Sequence, residues 1–314
     1  MTLGSLGWAS LAGEEKPPEV ERILFLGDSI TYRGTYVSYV EAALIAQYPN
    51  RNYVVLNLGL GSETVSGLSE EGHAGGRFPR PDLHERLERI LNQVKPDLVL
   101  ACYGMNDGIY LPLGAARFSA FKAGIKRLRE KVLETGAEII HLTPPVFDPL
   151  PIAHKVKPAG ADRPNGPFAG YNDVLDAYAR WLLDGGNRQG WRVWDVHGAM
   201  NQALAEARER DATFTFAKDG VHPNEAGHLI MAGPVLRAWG LRTDMNGAPE
   251  HRNGKAVLEL VKQKQQILRD AWLSQVGHQR PGVAAGLPMA IAEEKAAELD
   301  GTARALARSD GGAP

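Results

Sequence analysis

The chain has 314 residues, a formal net charge of −2 at pH 7 and 44% hydrophobic residues, which excludes wholesale disorder and fits one large domain with or without an appendage. The near-neutral charge gives no general attraction to nucleic acid or an anionic membrane surface. The single cysteine excludes internal disulfides and cysteine-rich zinc sites, and no apolar run approaches the ~20 residues that cross a bilayer.

The N-terminal segment allows two interpretations. Residues 3–12 (LGSLGWASLA) are mildly apolar and end in small residues, as a signal peptide does before its cleavage site. The stretch is short and lacks a basic region ahead of it. It is therefore either the remnant of a signal, which favours a secreted or periplasmic protein, or a disordered leader on a cytoplasmic one. We assign residues 1–21 to this leader.

Five short runs of apolar or β-branched residues follow. Four of them are largely apolar rather than strictly alternating, which predicts strands buried on both faces of a parallel sheet. The fifth has a more mixed composition, which favours a place toward the edge of that sheet. The runs cover residues 23–26, 53–58, 97–102, 137–142 and 191–196.

Amphipathic stretches alternate with these runs. In Leu83–Val94 the apolar residues recur at helical spacing, and Asp82 is placed to cap the helix. Strand–helix alternation predicts a three-layer α/β/α fold, in which functional residues collect at the carboxyl ends of the strands. Other helices are predicted at residues 36–48, 115–134, 171–183 and 224–239.

Two segments depart from this alternation. Residues 143–170 are rich in Pro and Gly, and a loop of this length is usually functional or mobile. After residue 242, a long amphipathic helix around 257–275, a break at 277–288 and a second helix at 289–306 are predicted. We interpret residues 243–314 as a helical extension packed on a main domain of residues 22–242.

Two separate segments carry residues suited to nucleophilic catalysis. Gly27-Asp28-Ser29 follows the first predicted strand, where a serine would be displayed above the sheet. A serine needs a base within hydrogen-bond reach, and Asp219 three residues before His222 can hold an imidazole in the orientation that takes a proton from a hydroxyl. The alternative is that Asp28 or Ser29 only caps a helix and that His222 lies on an ordinary turn.

Two further strand ends carry possible oxyanion donors. Asn106 follows the third strand, and its side-chain amide can donate a hydrogen bond to a developing negative charge. A glycine N–H after the second strand would supply another donor. Asn and Gly fill turns in all proteins, so each signal is weak alone. Together, successive strand ends supply a nucleophile, two donors and an Asp/His pair.

These segments resemble, in chain order, the four sequence blocks of the SGNH hydrolases, also called GDSL-type esterases and lipases. The resemblance covers residues 22 to about 240. Gly61 is chosen over Gly59 because the polar residues after it resemble those of the family, and Ile30 stands where the family name has Leu. The matching residues are Gly27-Asp28-Ser29, Gly61, Gly104-x-Asn106-Asp107 and Asp219-x-x-His222.

The resemblance implies a flavodoxin-like α/β/α fold with a parallel sheet of about five strands. It implies that Ser29 is the nucleophile, that His222 is the general base and then the acid, and that Asp219 orients His222. The oxyanion hole would be formed by the backbone N–H groups of Ser29 and Gly61 and by the side-chain amide of Asn106.

Asp28, Gly104 and Asp107 would be supporting residues of the same blocks. The implied chemistry is acyl transfer to water through an acyl-serine, with neither metal nor cofactor. The expected substrate is a small acyl ester, in particular an O-acetyl group on a carbohydrate. Two alternatives stay open: a lipase or lysophospholipase acting on longer acyl chains, and a carbohydrate-binding protein that keeps the fold without turnover.

Other motifs are weaker. The third glycine of a dinucleotide-binding loop would fall at Thr64, and His222 and His228 do not have the spacing of a zinc protease. Asp195 and His197 form a second Asp/His pair, which we interpret as structural.

Cys102 stands among apolar residues and is interpreted as a core residue rather than a nucleophile. Four tryptophans are interpreted as packing residues rather than as a platform for sugars. They are Trp181, Trp191, Trp194 and Trp272.

Overall fold

A five-stranded sheet lies at the centre of the computed structural model, which describes residues 17–158 and 166–309. The strand order is β2-β1-β3-β4-β5 and every neighbouring pair is parallel, with helices packed on both faces. The predicted three-layer fold is therefore confirmed, while the possible signal remnant at residues 3–12 lies outside the described residues. The strands are β1 (Arg22–Gly27), β2 (Val54–Asn57), β3 (Leu98–Cys102), β4 (Glu138–Leu142) and β5 (Arg192–Trp194).

The helices occupy most of the chain between and after the strands. Those at Leu83–Val94 and Ala115–Glu134 have the bounds that the apolar spacing predicts. Across the described residues, no helix combines the length and apolar character needed to cross a membrane. The helices are α1 (Ser29–Arg33), α2 (Thr35–Gln47), α3 (His73–Gly76), α4 (Leu83–Val94), α5 (Ala115–Glu134), α6 (Tyr171–Gln189), α7 (Val196–Arg208), α8 (Glu225–Ala238), α9 (Gly254–Val276) and α10 (Met289–Arg308), with a 3₁₀ turn at Leu150–Ile152.

The fifth strand corrects one prediction. A strand over residues 191–196 is expected from the sequence, but β5 ends at Trp194 and α7 begins at Val196. The side chain of Asp195 accepts a hydrogen bond from the N–H of Gly198 and so caps α7. The cap ends the strand early. As expected, this partly exposed strand lies at an edge of the sheet.

The turn from β1 into α1 is very tight. A side chain at Gly27 would place its Cβ 2.1 Å from Thr31 Oγ1 and 2.7 Å from the carbonyl oxygen of Cys102. Only glycine fits at this point, and the chain then enters α1 directly at Ser29. Local packing at the end of a buried central strand therefore fixes where Ser29 lies.

Cys102 and Trp272 are buried, and the partly buried Trp181, Trp191 and Trp194 pack against the core. Cys102 is buried at the end of β3. Trp181 meets Trp191 edge to face with ring centroids 5.5 Å apart, and Trp194 meets Trp239 in the same way at 5.6 Å. These contacts fit a packing role for the indoles.

The C-terminal helices are fastened to the β2 side of the sheet. Lys264 of α9 is buried between Glu41 of α2 and Asp300 of α10, with Nζ 2.5 Å from a carboxylate oxygen of each. Gln265 donates hydrogen bonds to Glu41 and, at 2.8 Å, to the carbonyl oxygen of Val55 on β2. Buried ionic contacts with this many partners fix the position of α9 relative to the sheet.

Candidate active site

Ser29 and His222 meet above the carboxyl end of β1. Asp28 caps α1 by accepting a hydrogen bond of 2.9 Å from the N–H of Ile30. Ser29, the next residue, does not fill the cap position, and its Oγ lies 2.8 Å from His222 Nε2. The helix-capping interpretation therefore holds for Asp28, while Ser29 has the basic partner that a nucleophile requires.

Asp219 holds His222 in one orientation. Its Oδ1 accepts hydrogen bonds from the N–H groups of Val221 at 3.0 Å and His222 at 2.8 Å, and its Oδ2 lies 2.7 Å from His222 Nδ1. Carboxylate contact at Nδ1 favours the tautomer with its proton there, which leaves Nε2 as an acceptor for the proton of Ser29. The turn includes Gly220 at φ +79°, where a Cβ would stand 2.6 Å from the carbonyl oxygen of Asp148.

Charge stabilises this arrangement. Hydrogen bonding to Asp219 raises the pKa of His222 above its ordinary value, against an opposing effect of burial. Burial would raise the pKa of Asp219, but hydrogen bonds from His222 and Val221 outweigh it and hold that pKa well below its usual range. Asp219 is therefore ionised at neutral pH and stabilises a proton on His222. Burial raises the pKa of Asp28 to about 7.

Asn106 lies at the end of β3 with its amide fixed on both sides. The side chain is 3% exposed, and its Nδ2 donates to the carbonyl oxygen of Glu63 at 3.1 Å. Its Oδ1 accepts hydrogen bonds from Arg80 Nη1 at 2.9 Å and from the hydroxyl of Tyr110 at 3.2 Å. An amide nitrogen has two N–H groups, so one of them remains for a ligand.

Arg80 and Tyr110 are not identified from the sequence. Arg80 makes a bidentate ion pair with Glu70 at 2.6 and 2.7 Å and lies over the ring of Tyr110. Arg80 stands in the long connection between β2 and α4, where no periodic pattern marks it. Its role depends on a contact with Asn106, 26 residues away, and no local motif encodes that contact.

The loop after β2 brings Gly61 to the same edge of the sheet. Leu60 donates its N–H to the carbonyl oxygen of Gly27 at 2.9 Å, so Gly61 follows directly on a contact with the end of β1. Further along the loop, the fully buried Glu63 accepts two hydrogen bonds from Arg86 and one from the hydroxyl of Tyr103. This buried bidentate ion pair, with a further hydrogen bond from Tyr103, anchors the loop.

Asp107 ties this loop to β3. Its Oδ1 accepts from the N–H groups of Val65 and Ser66 at 2.9 and 2.8 Å, and burial raises its pKa to about 6. Gly104, at φ +135°, allows the chain to pass Pro144, since a Cβ there would lie 2.8 Å from the proline ring. Both supporting residues therefore shape the loops around Asn106.

The loops after β2 and after β3 both contain non-glycine residues with strained backbone conformations. Ser62, directly after Gly61, has φ +66°, and Ile109 and Tyr110 have φ of +47° and +57°. Left-handed conformations of non-glycine residues cost free energy and concentrate at functional sites. Here they set the path of the two loops that carry Gly61 and Asn106.

The second Asp/His pair has a different environment. The Asp195 carboxylate accepts hydrogen bonds from Gly198 N–H and from Thr143 Oγ1, both at 2.9 Å. His197 is 2% exposed, its Nδ1 lies 3.1 Å from the carbonyl oxygen of Pro144, and burial lowers its pKa. These side chains join β4 and its following loop to the start of α7.

Comparisons with known proteins identify a family that this chain resembles along most of its length. The family model described as GDSL-like lipase/acylhydrolase matches residues 25–230, a span that contains Ser29, Gly61, Asn106, Asp219 and His222. An acetylxylan esterase of Geobacillus stearothermophilus is 27% identical over 241 residues, which cover 70% of this chain and 94% of that protein.

Two solved structures share the fold. The acetylxylan esterase Axe2 of the same organism superposes with a TM-score of 0.51 at 25% identity, covering 71% of this chain and 95% of that one. A gut microbial diltiazem-metabolizing enzyme superposes with a TM-score of 0.57 at 23% identity, covering 72% of this chain and 48% of that longer one.

Variants of Axe2 that are described as catalytic mutants replace one serine, one aspartate and one histidine. The family match extends over well over half of this chain and includes every block of its candidate site. The chain belongs to the GDSL-like lipase/acylhydrolase family, whose members are carboxylic ester hydrolases.

Proposed function

We propose that this protein is a serine esterase that removes acetyl groups from saccharides, with Ser29, His222 and Asp219 as its catalytic triad. The observation that carries the proposal is the continuous chain of hydrogen bonds from Ser29 Oγ to His222 Nε2 at 2.8 Å and from His222 Nδ1 to Asp219 at 2.7 Å. This is the arrangement that converts a weakly nucleophilic hydroxyl into an attacking group.

In the first step, Ser29 Oγ attacks the carbonyl carbon of the ester while His222 Nε2 takes the hydroxyl proton. The carbonyl electron pair moves onto its oxygen. The imidazolium that forms is stabilised by Asp219, which the structure keeps ionised at neutral pH.

The negative oxygen would be bound by the N–H groups of Ser29 and Gly61 and by the free N–H of the Asn106 amide. Loss of one such donor costs about 3 kcal/mol of transition-state stabilisation. Arg80 and Tyr110 bind the amide oxygen of Asn106. They fix its orientation and draw electron density from the donating N–H, which strengthens it.

The intermediate then collapses. The bond to the alcohol oxygen breaks, the alcohol takes the proton from His222 Nε2, and the acetyl group stays on Ser29. Water attacks this acyl-serine with His222 again as base, and acetate and free Ser29 result.

The acetyl group and the saccharide are supported by the relatives. Both the curated relative at 27% identity and the structure at 25% identity are acetylxylan esterases, and each is covered over more than nine-tenths of its length. A lipase would instead gain activity with acyl length, and a binding protein would show no turnover.

The test measures acetate release from acetylated xylooligosaccharides and hydrolysis of p-nitrophenyl acetate and octanoate. Ser29→Ala is expected to lower kcat on acetyl esters by about 10³-fold or more. Ser119→Ala is the matched control, because Ser119 is exposed on α5. Acetyl hydrolysis that survives Ser29→Ala would contradict the triad, and a preference for the octanoate would favour a lipase.

A further inference from the structure

The loop between α9 and α10 folds back and contacts the C-terminal end of α9. Gly277 turns the chain at φ +72°, and Arg89 of α4 donates to the carbonyl oxygen of Val276 at 2.7 Å. Farther along, Gly286 donates its N–H to Ser274 Oγ at 2.8 Å. The loop thus has both of its ends fixed, and α9 itself is anchored on the sheet.

This loop carries Arg280 to the candidate active site. A Cβ added to Gly61 would lie 2.8 Å from Arg280 Nε and 3.1 Å from its Cζ. The guanidinium therefore packs directly on the backbone of Gly61, and it also lies over the ring of Phe78 at 5.6 Å. A side chain from outside the family match touches a residue of the proposed oxyanion hole.

The charge of Arg280 is not balanced nearby. Within the described residues no carboxylate lies in salt-bridge range of it, and its Nη1 donates only to the carbonyl oxygen of Pro281. Its Nε is closed off from solvent and has no acceptor. By contrast, Arg80 and Arg86 are each paired with a glutamate. Because Nε is shielded where it packs against Gly61, the donors open to a ligand are the N–H groups on Nη1 and Nη2 of Arg280.

A second cation borders the same centre. Arg33 stands on α1, four residues after Ser29, is exposed and has no ion pair among the described residues. Its charge has a small lowering effect on the pKa of His222, which Asp219 outweighs.

We propose that the C-terminal extension completes the active site and that Arg280 is a specificity-determining residue, which selects acetyl esters of saccharides that carry a carboxylate or phosphate group. The inference rests on the esterase function proposed above. The planar guanidinium binds either anion through paired N–H groups. Its shielded position beside Phe78 strengthens the interaction by lowering the local dielectric.

Three probes with the same acetylated hydroxyl test this. They are monoacetyl methyl glucoside, monoacetyl methyl glucuronoside and monoacetyl methyl glucoside 6-phosphate, which differ only in the group at C6. The readout is the ratio of kcat/KM for each anionic probe to that for the neutral one. The wild-type protein is expected to show a ratio of about ten for at least one anion, the effect of one charge-assisted hydrogen bond.

Arg280→Gln is expected to reduce that ratio to about one, because the positive charge is lost. Arg280→Lys is expected to keep part of the ratio, because the charge remains while the planar pair of N–H donors is lost. Lys295→Gln removes a positive charge from an exposed position on α10 and is expected to leave the ratio unchanged. High salt should lower the wild-type ratio, since ions screen the attraction. The larger of the two anionic ratios identifies whether carboxylate or phosphate is preferred.

A wild-type ratio near one, or a preference that persists in Arg280→Gln, would overturn the assignment. Circular dichroism of both Arg280 variants separates a change of specificity from a loss of fold. If the wild-type protein hydrolyses neither the neutral probe nor p-nitrophenyl acetate, the esterase proposal itself fails. If it hydrolyses both without preferring an anion, only the role of Arg280 fails.

Discussion

Two of the Asp/His pairs, Asp219 with His222 and Asp195 with His197, have similar spacing in the sequence but opposite environments. In the turn before α8, the side chain of His222 is 40% exposed and lies between Asp219 and Ser29. At the start of α7, His197 is 2% exposed, and Asp195 binds a helix N-terminus. Asp195 follows the carboxyl end of β5, and His222 contacts Ser29 after the carboxyl end of β1. Both pairs therefore lie at the same end of the parallel sheet.

The difference shows what makes such a pair reactive. Asp195 accepts from the N-terminus of α7 and from Thr143 through Oδ1, and His197 Nδ1 lies against a backbone carbonyl oxygen rather than a carboxylate. Burial also lowers the pKa of His197, which makes the imidazole a poorer base. The pair at Asp219 keeps one face of the imidazole open and raises its pKa. Access and hydrogen bonding, rather than the residue types, distinguish the two sites.

The largest expected effect comes from exchanging the two histidines for alanine. We predict that His222→Ala lowers kcat on p-nitrophenyl acetate by about 10³-fold or more, because the base is lost. His197→Ala should keep kcat within a few-fold but lower the free energy of unfolding by roughly 1–3 kcal/mol, because buried packing and a hydrogen bond are lost. Steady-state kinetics and urea denaturation of both variants measure the two effects.

The reverse pattern would contradict this distinction. Near-normal turnover in His222→Ala would exclude it as the base. A loss of turnover in a stably folded His197→Ala would indicate that His197, on α7, is the general base.

A smaller effect is expected in the pH dependence of kcat/KM, which also distinguishes the two Asp/His pairs. His222 must be neutral to act as a base, so kcat/KM should rise with pH through the pKa of the free enzyme's His222. Asp219 raises this pKa, so the midpoint should lie above the ordinary histidine value of about 6.5. Asp219→Asn should then shift the midpoint to lower pH, while Asp195→Asn should leave it in place.

The shift between variants is the diagnostic quantity, because Asp28, with a pKa raised to about 7, titrates in the same range. Rate profiles from about pH 5 to about pH 9 for the three proteins give the midpoints. An unmoved midpoint in Asp219→Asn, or a moved one in Asp195→Asn, would contradict the assignment.

Local patterns in the sequence predict much of the fold. The stripe of Leu83–Val94 and the largely apolar runs of β1, β2, β3 and β4 mark their elements because burial imposes a period or a mostly apolar run. Helix α7 is missed because it follows β5 after a single capping residue and only a few of its residues are buried. The short α1 has too few residues to show a period.

The candidate active site likewise contains some residues that the sequence predicts and others that it does not. Ser29, Asn106, Asp219 and His222 are found because short blocks with a known order carry them. Arg80 and Arg280 are not, since each acts through a contact made far along the chain, with Asn106 and with Gly61. Only the packing of the loop after β2 and of α9 brings these guanidinium groups to the strand ends, and composition or periodicity does not encode that packing.

The central claim is that Ser29 is the residue that becomes acylated. Treatment of the protein with a fluorophosphonate, followed by mass spectrometry of its peptides, tests it most directly. The account predicts one adduct per chain, located on Ser29, and none in Ser29→Ala or at Cys102, whose thiol pKa burial raises far above its ordinary value. An adduct on another residue, or labelling that persists in Ser29→Ala, would contradict it.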